Sequence, residues 1–406
     1  MQMDGDLEFG NEYRDWGNPF KFGTTATGYH RNIFGVGPAL LWTPFFVITH
    51  VVALIGHKLG LMPTLDGMSR FHQAGTFYGT LLYAWLAVLL CYHIARRVAG
   101  RRVALWAALG AALAGPLPCY VLTWASFTHA HAAFASSLMI LLWLRWRGNW
   151  TTLRWVIFGA SVGLLVLVRP ACFPFVALPV IEGARAGVAA LRAGKLREAA
   201  APLLGGIAAL VVFSPQMIIW KIYYGDLFLA PQGEGFMWWS QSAWYSTLFS
   251  PRNGLFPWAP LMIVALVGLG IVAWRRPRLG LPLWVIFIAL AVVNGAVADW
   301  WGWGFSSRRY TAALPIFTLG LAVALRALRD RLAARPQRTA AWITGLAILG
   351  AVVFNLQWMR NFSRRNMTWT GVHSTEGMYM TTTHSLVDRA YSVVGNPVSL
   401  PASLAF

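Results

Sequence analysis

Two aspartates one residue apart open this sequence, in the run MQMDGDLEFGNEY. Asp4 and Asp6 belong to a group of five acidic residues before position 16, out of fourteen in the whole chain. A carboxylate can remove the proton from an acceptor hydroxyl, and two neighbouring carboxylates next to a phosphate can hold a divalent cation. We expect Asp4 and Asp6 to be catalytic. The plainer alternative is a solvated acidic terminus.

Basic and aromatic residues in the segments between apolar runs supply the other groups that such chemistry needs. The candidates for holding a phosphate are Arg169, Arg252, Arg308, Arg309, His30 and Arg31. The candidates for lining a substrate cavity are His129, His131, Tyr310 and Trp301. Guanidinium groups bind phosphate by charge-assisted, bidentate hydrogen bonds, and aromatic faces stack on sugars. The alternatives are lipid-phosphate contacts for the arginine pair, hydrogen-bonded helix-start histidines and an interfacial aromatic belt.

The composition is that of an integral membrane protein. The chain has 406 residues, of which 57% are hydrophobic and only 12% are charged, whereas about a quarter of the residues in a soluble domain are charged. The net charge of +19 comes from short loops between apolar runs, so membrane topology explains it and a nucleic-acid partner is not expected. Three cysteines lie far apart in apolar runs and predict neither a disulfide framework nor a metal site.

Eleven apolar runs must position the candidate residues. They cover 36–57, 70–95, 103–125, 128–144, 155–168, 171–182, 201–222, 258–274, 281–298, 311–328 and 340–358. They predict an all-α polytopic membrane protein with about ten transmembrane helices, preceded by an outer re-entrant or interfacial helix pair. We divide the chain into 1–69 (acidic loop and helix pair), 70–358 (bundle with outer loops 223–257 and 299–310) and 359–406 (outer tail).

Five basic loops set the predicted orientation. They lie at 96–102, 145–154, 185–197, 275–278 and 326–338, and together hold 19 of the 33 basic residues. They alternate correctly with the apolar runs, so all five can be cytoplasmic at once under the positive-inside rule. The carboxylate, arginine and aromatic candidates then meet on the outer face. If the run 36–57 is instead a true span, Asp4 and Asp6 fall on the cytoplasmic side.

At this point the motifs resemble the GT-C superfamily of polyprenyl-phosphate-sugar glycosyltransferases, and are similar to protein O-mannosyltransferases and the lipid A aminoarabinose transferase. The matching pieces are DGDLEFGNEY (4–13), GVGPALLWTPFF (35–46), CYHIARRVAGRR (91–102), FTHAHAAF (127–134), LVRPA (167–171), SPRNGLFPWAP (250–260) and WGWGFSSRRYTAALPIFTLGLA (301–322). The pattern departs at 37–40, where the family's basic residue and second proline are absent, so His30 or Arg31 would substitute as the phosphate contact. The family also has a spanning helix ahead of the acidic cluster. We therefore expect this sequence to be a truncated form.

The resemblance implies a GT-C-like fold and an inverting transfer of a sugar from a polyprenyl phosphate to an acceptor hydroxyl on a glycan, lipid or protein. It carries the general base onto Asp4, with Asp6 as second choice. No cofactor is required, although a divalent cation between these aspartates and the phosphate is compatible with them. The expected location is a bacterial inner membrane, with the active face outside and lipids as neighbours. The alternative is a transporter or flippase of a lipid-linked glycan, which would favour paired repeats and charged, broken helices at mid-membrane.

Overall fold

The computed structural model describes residues 7–18, 21–61, 65, 67–302, 304–332, 337–363 and 386. Within these residues the fold is all-α, with isolated bridges but no strand. The helices are α1 Gly10–Trp16, α2 Gly37–Lys58, α3 Arg70–Ala95, α4 Arg101–Leu113, α5 Cys119–Leu122, α6 His129–Trp146, α7 Thr152–Val168, α8 Ala177–Arg192, α9 Leu196–Tyr224, α10 Trp244–Phe249, α11 Leu255–Trp258, α12 Leu261–Arg275, α13 Pro277–Ala296, α14 Leu314–Arg331 and α15 Gln337–Ser363. Short 3-10 helices cover Pro170–Val176, Trp239–Gln241 and Arg308–Ala313.

The protein is a polytopic membrane protein, as the composition predicts. The described residues contain seven helical segments that are long and apolar enough to cross a membrane: Gly37–Lys58, Arg70–Ala95, Pro170–Arg192, Leu196–Tyr224, Pro277–Ala296, Arg308–Arg331 and Trp342–Ser363. The helices α7 and α12 are shorter and equally apolar. Such helices satisfy their backbone polar groups internally, which is the condition for crossing hydrocarbon.

The first apolar run forms one continuous helix, and its expected placement in an outer re-entrant or interfacial helix pair stays a prediction. Helix α2 has 22 residues and pairs antiparallel with the first half of α3. The indole of Trp42 donates to Thr80 Oγ1 across 2.9 Å, and the Tyr83 hydroxyl donates to the carbonyl of Leu41 across 3.2 Å. These two bonds fix the register between α2 and α3.

Hydrogen bonds join three of the five basic loops to one another and the other two to each other, at one end of the bundle. Guanidinium groups of Arg147 and Arg185 donate to the carbonyl of Arg278, across 3.3 and 3.5 Å. Arg326 donates to the carbonyl of Val98 across 2.9 Å and so joins the remaining two loops. We call the end that carries these loops the basic end. The arginine and histidine candidates Arg169, Arg308, Arg309 and His129 lie at the opposite end.

Helix α4 stops in the middle of the predicted apolar run 103–125. It ends at Leu113, and a turn with Pro116 and Pro118 leads to the single turn of α5. Proline cannot donate the helical hydrogen bond and clashes with the preceding turn, so the run cannot continue as one helix. This break matters for function because it brings Tyr120 to the end of the bundle opposite the basic end.

Candidate functional site

The end of the bundle opposite the basic end gathers residues from five segments. They are the turn around Tyr120, the start of α6, the end of α7, the loop 250–254 and the loop 299–313. No two of these segments are neighbours along the chain except the first two, so only folding brings their charges together.

Arg169 leaves helix α7 at its last turn and points its guanidinium group at another helix. Its backbone is extended (φ −152°, ψ 98°), as expected for a residue that precedes a proline, here Pro170. The guanidinium Nη1 donates to Nδ1 of His129, the first residue of α6, across 2.6 Å. The bond ties the end of α7 to the start of α6.

An aromatic wall surrounds His129, whose residue surface is only 3% exposed. The ring of Tyr120 lies 4.4 Å from the imidazole and that of Phe127 lies 5.9 Å from it, centroid to centroid. The guanidinium carbon of Arg308 lies 5.2 Å from the Phe127 ring centre, and the Tyr120 hydroxyl donates to the carbonyl of Phe305 in the same loop across 2.9 Å. A cation above an aromatic face is held by the ring's quadrupole, so this wall orients the second arginine of the site.

The third arginine, Arg309, is paired with a carboxylate. Its Nη2 donates to Asp299 Oδ1 across 2.9 Å and to the Asp299 carbonyl across 3.0 Å. The arginine side chain is 16% exposed and that of the aspartate 38%, so Arg309 lies deeper and the carboxylate faces the outside. Between them the chain turns at Gly302, whose φ of +56° is in the left-handed region that glycine adopts without strain.

The three guanidinium groups lie close enough to repel one another. Arg169 and Arg309 each interact electrostatically with Arg308 and with one another, and His129 experiences all three positive charges. The carboxylate of Asp299 is paired with Arg309. Because partly buried like charges are costly unless an opposite charge joins them, the arrangement suits a multiply charged anion.

Arg252, also predicted to hold a phosphate, instead stacks on Trp301. Its guanidinium carbon lies 4.1 Å from the ring centre, and its Nε is buried without a hydrogen-bond partner. The neighbouring Asn253 fixes this geometry, since its amide donates to the carbonyls of Trp301 (2.8 Å), Gly302 (3.2 Å) and Gly304 (3.2 Å). Asn253 has φ +62°, a value that asparagine tolerates in turns.

His30 and Arg31, which the sequence analysis proposed as alternative contacts for the phosphate, attach the N-terminal segment to the rest of the protein. The backbone N–H of His30 donates to the carboxylate of Glu8 across 3.1 Å, and the imidazole also pairs with it. Arg31 donates to the carbonyl of Pro231 through Nε (3.1 Å) and Nη2 (2.7 Å). Both side chains therefore hold the loop that precedes α2 against itself and against the loop after α9.

Two of the predicted cavity residues are packed away from the three arginines. His131 is fully buried between the rings of Trp42 and Tyr83, each 4.9 Å away, and neither ring nitrogen has a partner. The Tyr310 hydroxyl pairs with Thr247 Oγ1 at 2.6 Å in the core between the loop 299–313 and α10. The other two cavity candidates, His129 and Trp301, each lie beside an arginine.

The two predicted catalytic aspartates, Asp4 and Asp6, lie outside the described residues. The described part of the chain contains no group of three histidine, cysteine, aspartate or glutamate side chains that could hold a metal ion. Sequence reasoning missed Tyr120, Phe127 and Asn253. Of these, Asn253 had a local signal, because the run SPRNG around it is typical of a turn.

Comparison with known proteins finds similarity in solved structures. No protein-family model and no curated protein matches the chain. The chain is similar to the oligosaccharyltransferase of Archaeoglobus fulgidus with zinc and sulfate, at 16% identity and a TM-score of 0.43 over 87% of this chain and 50% of that one. It is also similar to the oligosaccharyltransferase AglB of the same organism with an inhibitory peptide and a dolichol-phosphate, at 17% identity and a TM-score of 0.44 over 87% of this chain and 53% of that one. The chain thus spans about half the length of either protein.

Proposed function

We propose that this chain is a membrane glycosyltransferase that moves a sugar from a polyprenyl-phosphate donor to an acceptor hydroxyl. The observation that carries the proposal is the group of three neighbouring guanidinium groups, Arg169, Arg308 and Arg309, around the buried His129, with Asp299 paired to Arg309. We call this group the arginine site. A phosphate attached to a lipid is an anion that can reach such a site from within a bilayer.

The arginine site suits the leaving group of the reaction. In the transfer, the bond between the anomeric carbon and the phosphate oxygen breaks and its electron pair stays on the phosphate. Guanidinium groups aimed at that oxygen stabilise the developing charge more than the starting ester, which is the condition for lowering the barrier. The phosphate leaves as an anion without needing a proton, so no general acid is required.

The general base in this proposal is Asp4, with Asp6 as second choice. The base takes the proton of the acceptor hydroxyl as its oxygen attacks the anomeric carbon from the side opposite the phosphate, and this inverts the anomeric configuration. The described residues that follow these aspartates support the assignment. The Tyr223 hydroxyl near the end of α9 donates to the carbonyl of Leu7, and Gly35 packs near Leu167 and Pro170 on either side of Arg169. The segment that follows the aspartates is therefore attached to α9 at Leu7 and reaches the end of α7 at Gly35.

An apolar groove between α7, α8 and α9 offers a place for the polyprenyl chain. Its volume is about 560 Å³, and its walls include Phe158, Val162, Leu210 and the open face of Gly206. The groove reaches Val166 and Val176, which flank the bend at Arg169. A prenyl chain lying in the groove would therefore bring its phosphate end to the first arginine of the site.

The stacked pair of Arg252 and Trp301 would serve the sugar or the acceptor. The indole offers an apolar face of the kind on which sugar rings stack, and the buried Nε of Arg252 is a donor without a partner. A hydroxyl or phosphate oxygen placed there would satisfy that donor. A divalent cation, if the reaction uses one, would depend on Asp4 and Asp6.

We further infer that the active face is the outer one, since the positive-inside rule assigns the basic end to the cytoplasm. The partners would be the lipid-linked donor, an acceptor on a glycan, lipid or protein, and the surrounding membrane lipids.

The test uses the full chain in lipid with a panel of polyprenyl-phospho-sugars, and measures release of polyprenyl phosphate. Single variants Arg308→Gln, Arg309→Gln, Asp4→Asn and Asp6→Asn are compared with Lys221→Gln, which removes an exposed charge from α9 outside the arginine site. We expect the rate of polyprenyl-phosphate release to fall by about 10²-fold or more in the arginine variants. One of the two aspartate variants should also lose this activity, and the lysine control should keep the wild-type rate. Equal activity of all variants would overturn the assignment of the arginine site and of the catalytic aspartates. Translocation of the lipid-linked donor across the membrane without release of polyprenyl phosphate would favour a transporter.

A further inference from the structure

A cleft at the basic end has no role in the proposed transfer. It lies between the end of α3, the start of α4 and the end of α6, and its volume is about 760 Å³. Four guanidinium side chains reach it, from Arg96, Arg97, Arg101 and Arg145, and no carboxylate lines it. We call it the basic cleft. It is far from the arginine site, at the other end of the same helices.

Among the described residues, the arginines of the basic cleft lack the carboxylate partners that some other basic residues at this end have. Elsewhere at the basic end, Arg185 is paired with Glu182, Lys195 with Glu198 and Arg326 with Asp330. Among the described residues no salt bridge involves any of the four arginines of the cleft. Four unneutralised positive charges around one cavity favour an occupant with more than one negative charge.

The walls of the basic cleft indicate that the occupant is a lipid. The side of the cleft formed by α6 carries Leu141 and Leu142, which are apolar and partly exposed. Arg96 and Arg97 directly follow α3, Arg101 is the first residue of α4 and Arg145 lies in the last turn of α6. Helix ends are the level at which phospholipid headgroups meet spanning helices. A free anion would use the arginines and leave the leucine wall exposed, whereas a phospholipid uses both.

We propose that the basic cleft binds the headgroup of a dianionic phospholipid of the cardiolipin type. Its two phosphates are joined by a short glycerol bridge, so one phosphate can meet Arg97 and Arg101 while the other reaches Arg145 across the cleft. Its acyl chains lie along Leu141 and Leu142. Basic pockets between spanning helices on the cytoplasmic side are the type of site that such headgroups occupy.

The experiment titrates the purified full chain in neutral detergent with cardiolipin and counts retained lipid by native mass spectrometry. The double variant Arg97→Gln/Arg101→Gln is compared with Arg192→Gln/Arg197→Gln, which removes the same charge from the exposed end of α8 and the exposed start of α9. We expect cardiolipin retention to weaken by on the order of tenfold in the cleft variant and to stay at the wild-type level in the control. Parallel titrations use phosphatidylcholine and inorganic pyrophosphate.

Three results would overturn the proposal. Equal loss in both double variants would mean that total charge, and not the cleft, attracts the lipid. Equal retention of phosphatidylcholine would mean that the headgroup is not recognised. Displacement of cardiolipin by pyrophosphate at similar concentrations would mean that the cleft binds a free anion and that the leucine wall contributes nothing. None of these results bears on sugar transfer, because the cleft and the arginine site share no residue.

Discussion

Arg169 donates to Nδ1 of His129 across 2.6 Å, and this bond determines the protonation of the histidine. A guanidinium group has only donors, so Nδ1 must be the acceptor and the imidazole proton must lie on Nε2. The ring is therefore neutral although three arginines surround it. A neutral histidine orients Arg169 without adding a fourth positive charge to the arginine site.

The first prediction follows from this acceptor role of His129. In His129→Asn the amide oxygen can stand near the position of Nδ1 and accept from Arg169, whereas His129→Leu offers no acceptor. We expect the leucine variant to lose about 1.5–3 kcal/mol of stability, the range for a hydrogen bond to a charged group, and to raise the KM for the donor. The asparagine variant should stay close to wild type in both. Thermal unfolding in detergent and donor titration measure the two effects, and equal behaviour of the variants would show that the bond is unimportant.

A second prediction concerns Asn253, whose amide holds three carbonyls of the loop that carries Arg308 and Arg309. Asn253→Asp replaces the hydrogen-bond donor by a carboxylate that faces those carbonyl oxygens. We expect the variant to lose about 2 kcal/mol or more of folding stability and also to lose polyprenyl-phosphate release. The matched control is Asn355→Asp, because Asn355 likewise donates to two carbonyls, those of Leu113 and Gly115. Both variants should be destabilised. Only Asn253→Asp should lower kcat under conditions in which both remain folded.

Much of the fold could be predicted because hydrophobic length and loop charge are local properties. The apolar runs predicted where the helices lie along the chain. The alternation of basic loops predicted that all five loops lie at the same end of the bundle. The break after α4 had a visible signal in Pro116 and Pro118. The continuity of helix α2 was harder to predict, because one proline lies at its start and another within it. Packing against α3 decides whether such a run forms one uninterrupted helix.

The site was predictable only in part, because side-chain direction depends on tertiary packing. His129 and His131 are two residues apart, so on a helix they point to different sides, and nothing local says which side meets Arg169. Tyr310 follows Arg309 directly, yet a 3-10 turn sends its hydroxyl to Thr247. The aromatic wall of Tyr120 and Phe127 depends on how the turn after α4 folds back, which no spacing encodes.

A third prediction uses the left-handed turn at Gly302. In Gly302→Ala the alanine backbone must keep φ +56°. Its methyl group would lie 3.4 Å from Nη2 of Arg308 and 3.6 Å from Nε of Arg309. We expect strain of about 1–2 kcal/mol and a loss of donor release as the two guanidinium groups shift. Gly148→Ala is the control, since Gly148 has φ +80° with open space around it. Gly148→Ala should have a similar backbone strain and keep its donor-release activity. If both variants lost activity equally, the cause would be general destabilisation and not a shift of the arginines.

A fourth prediction concerns pH and the attachment of the N-terminal segment. Partial burial alone would raise the pKa of Glu8, but hydrogen bonds from the side chain and backbone of His30 and the charge of its ring hold that pKa below the usual value. A carboxylate with a lowered pKa stabilises the folded arrangement above its unfolded pKa, and the contribution disappears as pH falls through the folded value. The protection factors for hydrogen exchange in residues 7–36, corrected for the intrinsic pH dependence of exchange, should therefore fall on acidification below the ordinary carboxyl range. In Glu8→Gln the protection factors should already be low at neutral pH and change little on acidification. A wild-type segment that stays protected throughout would contradict the role of Glu8.

The last prediction tests the groove proposed for the polyprenyl chain. Gly206 lines the groove, and a Cβ added there meets no atom within 4 Å, so Gly206→Leu should fill the groove without disturbing the backbone. The variant should be as stable as wild type or slightly more stable, because leucine favours a helix over glycine. Its KM for long-chain donors should rise several-fold while that for a short-chain donor stays unchanged. Gly270→Leu is the matched control, since Gly270 on α12 also has open space and lies outside the groove. Equal KM values for both variants would remove the groove from the proposal and leave the arginine site unaffected.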